Sequence, residues 1–406
     1  MSKPLRDNPS GQLWWCSLLH IVNDGYIAGL ALLLPFIAAD LGLSYTEAGL
    51  LKTAMQGAIS VTQIPAGLLS ERLGEMLVLG LGTAWFSLSY AALILAGGYS
   101  VVLVLIILSG VGGGVYHPVG TGLISSVYPV DKSGPAIGTL NFFGDVGKVG
   151  FPALAGVLVV YVGWRGCVAI LGGMGTVSAL LYLLHFRRDI ERRWRQISAA
   201  RRSARARESG ERTSGWGIRR PRQFALYSVV GFVDTAIRSG VVTFLGFTLI
   251  SAGVEQGEIG WLFSLTLFGG AFGKLLCGMP MQKWGAVKII LLTEVLMVLG
   301  CWALPTIPAG WAMVVFLPLF GFMLNGTSSV IYIGLVPTFD RGRHSRGYAL
   351  YYTSNFLAGA AAPYLFGLVG DAYGLAAVYY AAGALMLGGL PLVFFLRDSP
   401  SVSPSE

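Results

Sequence analysis

Residues 187–222 read RRDIERRWRQISAARRSARARESGERTSGWGIRRPR. The run holds thirteen arginines against four acidic residues, and its net charge of +9 slightly exceeds the +8 of the whole chain. A segment with so much charge and so little apolar surface cannot offset the entropy that it would lose on ordering, so we interpret it as a mostly solvated linker. Because apolar sequence of similar length flanks it, we predict two domains, residues 1–186 and 224–406, joined by the basic linker 187–223.

The composition is typical of a membrane protein. Hydrophobic residues make up 54% of the chain and charged residues only 12%, a profile that excludes an ordinary soluble domain. A helix needs about 20 apolar residues to cross a bilayer, and the chain supplies such a segment roughly a dozen times. We therefore predict an all-α membrane protein with twelve transmembrane helices. The predicted spans are residues 12–39, 48–69, 75–97, 100–127, 134–161, 164–186, 224–250, 257–279, 286–306, 309–335, 344–370 and 374–396.

The basic residues predict the orientation of these spans. If both termini lie on one side, that side carries nearly all of the cations, and the opposite side carries acidic residues such as Asp40, Glu47, Glu255, Glu258 and Asp371. Cytoplasmic loops are enriched in lysine and arginine, so both termini should be cytoplasmic. The basic linker then has a topological role, aided by anionic lipid. Nucleic acid is not an expected partner, because no aromatic residues interleave the charges. The cations of the cytoplasmic side, besides the linker, are Lys3, Arg6, Arg72, Lys132, Lys283, Lys288, Arg341, Arg343 and Arg346.

Motifs of enzymes and of metal sites are absent from the sequence. There is no H-E-x-x-H pattern, P-loop or nucleophile elbow. The four cysteines lie in or near apolar segments without short spacings, which predicts neither a disulfide framework nor a metal site. We therefore expect no enzymatic activity, no metal and no cofactor. The cysteines are Cys16, Cys167, Cys277 and Cys301.

The two apolar halves share short motifs in the same order. Residues 67–74 read GLLSERLG and residues 278–285 read GMPMQKWG, each with a cation five residues after its first glycine. Four such matches in one order predict two related, pseudo-symmetric six-helix bundles. The other three are Pro152, Gly156 and Gly163 with Pro363, Gly367 and Gly374; Asp24 and Gly49 with Asp234 and Gly260; and His117 and Pro129 with Asn325 and Pro337.

Residues 67–74 also resemble the signature G-x-L-A-D-R-x-G-R-K, which the major facilitator superfamily of transporters carries between its second and third helices. The resemblance covers essentially the whole chain. It implies the fold of that superfamily, two six-helix bundles with cytoplasmic termini. It also implies a secondary active transporter of a small molecule, acting as a monomer in the lipid bilayer. The positions that match the signature are Gly67, Leu69, Arg72 and Gly74.

The same resemblance implies a gating motif near the cytoplasmic surface. Arg72 should pair with Asp131 or Glu71 in one access state only, so its loss should shift the balance between conformations. The basic pair that ends the signature is missing, since Glu75 and Met76 take its place. The predicted members of the motif are Gly67, Glu71, Arg72, Gly74 and Asp131.

A narrower resemblance is to the fosmidomycin-resistance branch of the superfamily. The pieces that carry it are HIVND at 20–24, LP at 34–35, LSY at 43–45 and GGGVYHP at 112–118. This resemblance implies a proton-driven exporter of small molecules.

The fifth span is similar to the glycine-proline motif of antiporters in the superfamily, although Phe151 stands where that motif usually has glycine. The alternative is that these residues serve helix packing alone. Small residues let helices approach closely, and proline leaves a carbonyl unpaired where the helix can bend. The residues are Gly138, Gly144, Gly147, Gly150, Pro152 and Gly156.

Ionisable residues at membrane depth are costly and usually face a cavity or a partner. Asp145 and Lys148 are three residues apart, and Asp234 and Arg238 four apart, so each pair can meet on one helical face. These two pairs either neutralise each other or serve transport. Glu294 is expected to make a structural or peripheral contact. The remaining candidates are Asp24, Lys52, Lys274, His20 and His117.

Asp24 is the leading candidate for proton binding. Its neighbours His20 and Asn23 offer hydrogen bonds, but its own helix offers no cation, so burial should disfavour its ionised form. The alternatives are a helix-pairing role for Asp24 and a core role for His117. We predict a proton-coupling set comprising Asp24, His117, Asp145 and Asp234, with the proton gradient as driving force. We predict a substrate-binding set comprising His20, Asn23, Lys52, Tyr116, Asn141, Lys148, Arg238, Asn325 and Asn355.

Three classes of function remain open. The first is a proton-coupled exporter, or antiporter, of a small anionic or amphiphilic compound or drug, which both resemblances favour. The second is a proton-coupled importer of a small organic anion, which the cations Lys52, Lys148, Arg238 and Lys274 would suit. The third is a membrane enzyme or assembly factor that transports nothing. We expect the first, in the cytoplasmic (inner) membrane of a bacterium.

Overall fold

The structure, a computed structural model, describes residues 9–204, 218–279, 284–339 and 344–396. Those residues are almost entirely helical, which confirms the all-α prediction. The α-helices, in chain order, are α1 Pro9–Leu41, α2 Tyr45–Leu73, α3 Glu75–Ala91, α4 Tyr99–Gly113, α5 Tyr116–Val127, α6 Val130–His185, α7 Arg187–Ala204, α8 Pro221–Ser251, α9 Gln256–Gly278, α10 Ala286–Ala303, α11 Trp311–Leu335, α12 His344–Tyr373 and α13 Leu375–Val393.

Nine helical segments among the described residues are long and apolar enough to cross a membrane. One of them, Lys132–His185, lies within α6, whose 56 residues would extend about 84 Å, against a hydrocarbon core of about 30 Å. At Gly163 the backbone of α6 leaves the helical conformation, with φ 64° and ψ 176°. That residue lies between the predicted spans 134–161 and 164–186, so α6 supplies both of them. The total of twelve spans and the cytoplasmic termini stay predictions.

The predicted span 100–127 is not one uninterrupted helix. It consists of α4 and α5, which Gly114 and Val115 separate. The break falls just before Tyr116 and His117, which are both predicted site residues. Helix α5 therefore begins at Tyr116.

The first part of the basic linker is helical, although we interpreted the linker as too charged to order. Most described side chains of α7 are exposed, as expected of a linker. Its backbone is ordered because arginine is a good helix former and because Ile190 packs against a buried cluster that includes Tyr182 and Phe186. Arg193 also lies 3.4 Å from Glu75 at the start of α3. Glu75 takes the place of a signature cation, and α7 supplies the opposite charge.

Three pairs of glycines support the internal repeat. Each glycine has a positive φ, a conformation that disfavours residues with a Cβ atom. Five of the six lie next to or near a helix end, and Gly163 lies at the break within α6. The two members of every pair are separated by the same 211 residues. Shared backbone conformations at a constant spacing are expected of two copies of one helical unit. The pairs are Gly42 and Gly253, Gly74 and Gly285, and Gly163 and Gly374.

The contacts divide the chain into two compact units. Unit 1 comprises Met1–Leu30 and Ala54–Thr213, and unit 2 comprises Ala31–Thr53 and Ser214–Glu406. Unit 2 therefore includes the end of α1 and the start of α2, which the predicted division at 186 and 224 assigns to the first domain. These segments join unit 2 because the carboxylate of Asp371 accepts the backbone N–H groups of Tyr45 and Thr46, at 2.8 and 2.9 Å.

Helices within unit 1 approach one another through glycine. Gly110 and Gly114 of α4 and its following turn lie directly against the backbone carbonyls of Met55 and Ile59 in α2. A Cβ atom at either glycine would collide with those carbonyls. Membrane helices commonly pack through small residues in this way, because no water drives their association.

Candidate functional site

The site of unit 1 is centred on Asp24, in the interior of α1. The residue is only 2% exposed. The Nδ2 atom of Asn23 donates a hydrogen bond of 3.1 Å to its Oδ1 atom. The Nε2 atom of His20, one turn earlier, lies 3.3 Å from its Oδ2 atom. The sequence places these three residues together, and the helix brings their polar atoms to one point.

A cation from another helix, α6, reaches Asp24, whose own helix offers none. The Nζ atom of Lys148 lies 2.9 Å from Oδ2 of Asp24 and 3.1 Å from Oδ1 of Asp145. The predicted pairing of Lys148 with Asp145 is therefore present, but the ammonium group is shared. Because Lys148 favours the ionised form of Asp24, burial alone does not decide the protonation of this carboxylate. The sequence conceals the contact, since Lys148 lies on a different helix.

Two imidazole rings complete the cluster. The Nε2 atom of His117, in α5, lies 3.5 Å from Oδ1 of Asp24. The Nδ1 atom of His20 lies 2.8 Å from the carbonyl oxygen of Leu140, which can only accept, so Nδ1 carries the hydrogen. The Nε2 atom of His20 is therefore the ring nitrogen that faces Asp24.

Tyr116 packs against the His20 ring. Its ring stacks on His20 with centroids 4.4 Å apart, and its hydroxyl group donates a 2.7 Å hydrogen bond to the carbonyl oxygen of Cys16. Tyr116 is buried, with 2% of its surface exposed. Its observed contacts are those of a residue that fixes the position of the His20 ring.

Glycines of α6 make room for the cluster. A Cβ atom at Gly144 would lie 2.7 Å from Cε1 of His20 and 2.9 Å from Oδ2 of Asp24. A Cβ atom at Gly147 would collide with the backbone carbonyl of Ile21. Gly138 and Gly150, by contrast, face open space. Two of the predicted motif glycines thus allow the close approach of α6 to α1 that brings Lys148 to Asp24.

The net charge of the cluster favours the binding of a proton. Asp24 and Asp145 carry two negative charges when ionised, Lys148 carries one positive charge, and neutral imidazoles add none. One bound proton would cancel the remaining negative charge. Lys148 and His117 are 38% and 32% exposed, so the two groups at the edge of the cluster can also meet a ligand.

The atoms of His20, Asp24 and His117 that could ligate a metal ion lie within 4.8 Å of one another. The Lys148 ammonium, at 2.9 Å from the same carboxylate, already supplies positive charge there and would repel a metal cation. We therefore interpret the cluster as a proton-binding group, and the expected absence of a metal or cofactor stays a prediction.

Unit 2 has a second polar group of predicted site residues. Arg238 and Asp234 of α8 lie 3.3 Å apart, which confirms the pairing predicted from their spacing. Arg238 also donates to the Thr235 hydroxyl at 3.2 Å, and Thr235 is 3.5 Å from Oδ1 of Asn355. The Nδ2 atom of Asn355 donates to the carbonyl oxygen of Tyr351 at 2.8 Å. These side chains form a continuous polar row from α8 to α12.

Three further predicted substrate-binding residues lie on α2, α11 and α6. Lys52 is buried in the part of α2 that belongs to unit 2. The Nδ2 atom of Asn325 donates to the carbonyl oxygen of Gly321, one turn earlier in α11, at 3.4 Å. Asn141 is exposed on α6. Their roles stay predictions.

The predicted gating motif lies at the end of α2 and just after it. Glu71 and Arg72 are exposed, Gly67 faces open space, and Gly74 begins α3 with a positive φ. No ion pair joins Arg72 to a side chain within the described part of the chain, and the side chain of Asp131 lies outside that part. The side chains of the predicted cytoplasmic cations Lys3, Arg6, Lys283, Arg341, Arg343 and Arg346 also lie outside it.

Glu294, which was expected to make a structural or peripheral contact, is fully buried in α10. Neither of its carboxylate oxygens has a hydrogen-bond partner among the described residues. A lone carboxylate within an otherwise apolar helix is the signal by which the sequence could have identified it.

Known proteins resemble this chain in fold and in part of its sequence. A bacterial homologue of the human lysosomal transporter Spinster, solved in an inward-facing and unoccupied conformation, has a TM-score of 0.73 at 15% identity; 97% of this chain and 96% of that chain are covered. The probable L-galactonate transporter of Escherichia coli is 29% identical over 38% of this chain and 34% of its own length. The tetracenomycin C resistance and export protein of Streptomyces glaucescens is 27% identical over 47% and 38%. The matched region thus spans little more than a third of each relative.

The family assignment rests on nearly the whole chain. The family model of the Major Facilitator Superfamily matches twice, over residues 14–253 and 227–406. The two matches fit a chain built of two related halves. This chain belongs to the Major Facilitator Superfamily.

Proposed function

We propose that this transporter couples the movement of a small organic compound to a proton bound at the cluster of Asp24, His20 and His117. The observation that carries the proposal is the setting of Asp24, a carboxylate buried in a membrane helix and in contact with two imidazoles and one ammonium group. Such a group can exchange a proton for a change in ion pairing. Asp145 shares Lys148 and thereby sets the local field, and Asp234 of unit 2 belongs to the same proton-coupling set.

Our first candidate is an exporter that exchanges its substrate for protons. A compound whose hydroxyl, amide or ammonium group donates to Asp24 would occupy the oxygen atoms that a proton needs. Proton and substrate would then compete, which is the condition for antiport. An amphiphilic compound fits the mixture of polar and apolar side chains. The resemblance to the fosmidomycin-resistance branch favours export, and one relative is named as a resistance and export protein.

The second candidate is an importer of an organic anion, and the sharing of Lys148 favours it. Both Asp24 and Asp145 neutralise this ammonium group, so an anion cannot use it fully. A proton on Asp24 would weaken that hold and free Lys148 for the anion. Proton and anion would then assist each other's binding, which is the condition for symport. A relative named as a probable L-galactonate transporter takes a sugar acid, which fits this chemistry.

The remaining parts of the proposal concern the whole chain. We infer two domains of six helices, residues 1–186 and 224–406, in a monomer with cytoplasmic termini in a bacterial inner membrane. Arg72 acts as a gate in one access state. The remaining predicted substrate contacts, Asn23, Lys52, Tyr116, Asn141, Arg238, Asn325 and Asn355, await the substrate's identity.

The test measures proton movement directly. The probe is selected by a growth screen, in which cells that express the protein are exposed to phosphonates and amphiphilic drugs. Fosmidomycin and ethidium are examples of such probes. Proteoliposomes with a pH-sensitive dye inside then receive that probe from outside. Antiport makes the lumen more alkaline as the probe enters, and symport makes it more acidic. We expect the wild-type protein to give one of these responses and Asp24→Asn to give none, although the variant still binds the probe.

Glu258→Gln is the matched control, because it removes an exposed carboxylate near the start of α9. It should leave the response unchanged. Normal proton movement with an unaltered pH profile in Asp24→Asn would make this carboxylate structural and move the proton to His117. Probe transport by the wild-type protein with no proton movement would contradict proton coupling altogether.

A further inference from the structure

Glu294 lacks the partners that an ionised carboxylate needs. It is 0% exposed in α10, and neither of its oxygens has a hydrogen-bond partner among the described residues. A buried carboxylate in a membrane helix costs several kcal/mol when it is ionised and unpaired. The protonated form carries no net charge and avoids this cost.

The surroundings of Glu294 contain one cation for two carboxylates. Glu294 interacts electrostatically with Asp234 and Arg238 of α8, and with the Cys301 thiol of its own helix. Asp234 is 1% exposed, and its Oδ2 atom lies 3.3 Å from Arg238. Tyr332 and Tyr351 also interact electrostatically with Arg238, but their hydroxyl groups are neutral at physiological pH. Arg238 can compensate only one negative charge, so one carboxylate must hold a proton.

The ion pair indicates which carboxylate holds it. The Oδ2 atom of Asp234 lies 3.3 Å from Arg238, so the guanidinium group compensates the charge of that carboxylate. No ion pair joins Glu294 to a cation among the described residues, and its side chain is fully buried. A proton on Glu294 removes the charge that would otherwise lack compensation.

We propose that Asp234, Glu294 and Arg238 form a proton-binding site in unit 2, with the proton on Glu294 while Asp234 pairs with Arg238. If a substrate anion draws Arg238 away from Asp234, the proton can pass to that carboxylate. This site deepens the proposed function by adding a second place for the proton, and it rests on that function only for its link to transport.

Infrared difference spectroscopy of the purified protein tests the site without any transport. The carbonyl stretch of a protonated carboxylic acid is distinct from that of a carboxylate. The Glu294→Gln variant should lose this band. Asp234→Asn should lose it as well, because Arg238 would then pair with Glu294 and remove its proton. Arg238→Gln should double the band, since both carboxylates must then be protonated. The control Glu258→Gln, at an exposed position near the start of α9, should change nothing.

An unchanged acid band in Glu294→Gln would overturn the proposal. A band that persists in Asp234→Asn would overturn the sharing of the proton. Labelling of the wild-type protein with dicyclohexylcarbodiimide needs no variant. This reagent attacks protonated carboxyl groups in apolar surroundings, and mass spectrometry should locate the adduct at Glu294. The absence of an adduct there would count against the site. None of these measurements depends on Asp24. They can therefore refute the proton-binding site in unit 2 without refuting the proposed proton-coupled transport, and a failure of the transport experiment would not refute this site.

Discussion

Replacing Gly144 by alanine should disrupt the cluster around Asp24. The added Cβ atom would lie 2.7 Å from Cε1 of His20 and 2.9 Å from Oδ2 of Asp24. Those atoms would have to retreat by about 0.7 Å to reach ordinary van der Waals contact. Overpacking of this kind costs about 1–3 kcal/mol, and the gain in helix propensity from glycine to alanine offsets about 1 kcal/mol of it. We expect a net loss of up to about 2 kcal/mol.

Gly150→Ala is the matched control, since it lies in the same helix and faces open space. It should stabilise the protein by up to about 1 kcal/mol. The assay is thermal unfolding in detergent, followed by the proton-movement measurement in proteoliposomes. The Gly144→Ala protein should unfold at a lower temperature than the control and should show an altered pH profile, because His20 and Asp24 must separate. Equal unfolding temperatures and equal pH profiles for the two variants would refute the packing argument.

Two further predictions concern charged groups outside the cluster. Replacing Asp371, beyond the predicted span 344–370, by asparagine should cost about 1 kcal/mol after allowance for its exposure. Partial burial acts to raise the pKa of Asp371, but hydrogen bonds from Thr46 and its neighbours prevail and lower that pKa. The stabilisation is therefore complete above the unfolded-state pKa and is lost as the pH falls through the folded-state pKa. Unfolding temperatures of variant and wild type should converge in acid, and parallel curves would contradict this. Glu75→Gln should cost less than about 1 kcal/mol overall but should speed hydrogen exchange in α7, because the contact with Arg193 is lost. The control Asp189→Asn removes an ion pair within α7 and should leave this exchange unchanged relative to wild type, and equal exchange in all three proteins would contradict the role of Glu75.

Interactions within one turn of a helix could be predicted from spacing alone. His20 with Asp24, Asp145 with Lys148, and Asp234 with Arg238 are three or four residues apart, and each pair lies within 3.3 Å. Helix geometry places such side chains on one face whatever the rest of the fold does. The same holds for Ser44 and Glu47, which hydrogen-bond to each other's backbone N–H at the start of α2.

The positions of the helices along the chain also follow from the sequence. Apolar length determines which segments can cross a bilayer, and the repeated glycines mark positions where only a residue without Cβ adopts the backbone conformation readily. The positive φ of Gly163, between two predicted spans, agrees with this. Helix α7 is the exception, because the charge of its arginines conceals an apolar contact at Ile190.

Contacts between helices were decided only by the tertiary structure. Nothing in the sequence indicates that Lys148 reaches Asp24 or that Glu294 lies beside Asp234 and Arg238. In a water-soluble protein the apolar face of a helix identifies its buried side. In a membrane, lipid and neighbouring helices are both apolar, so the faces of a helix look alike in sequence. Which polar residues share a site then depends on how helices are rotated and packed, and a glycine such as Gly144 acquires its role only from that packing.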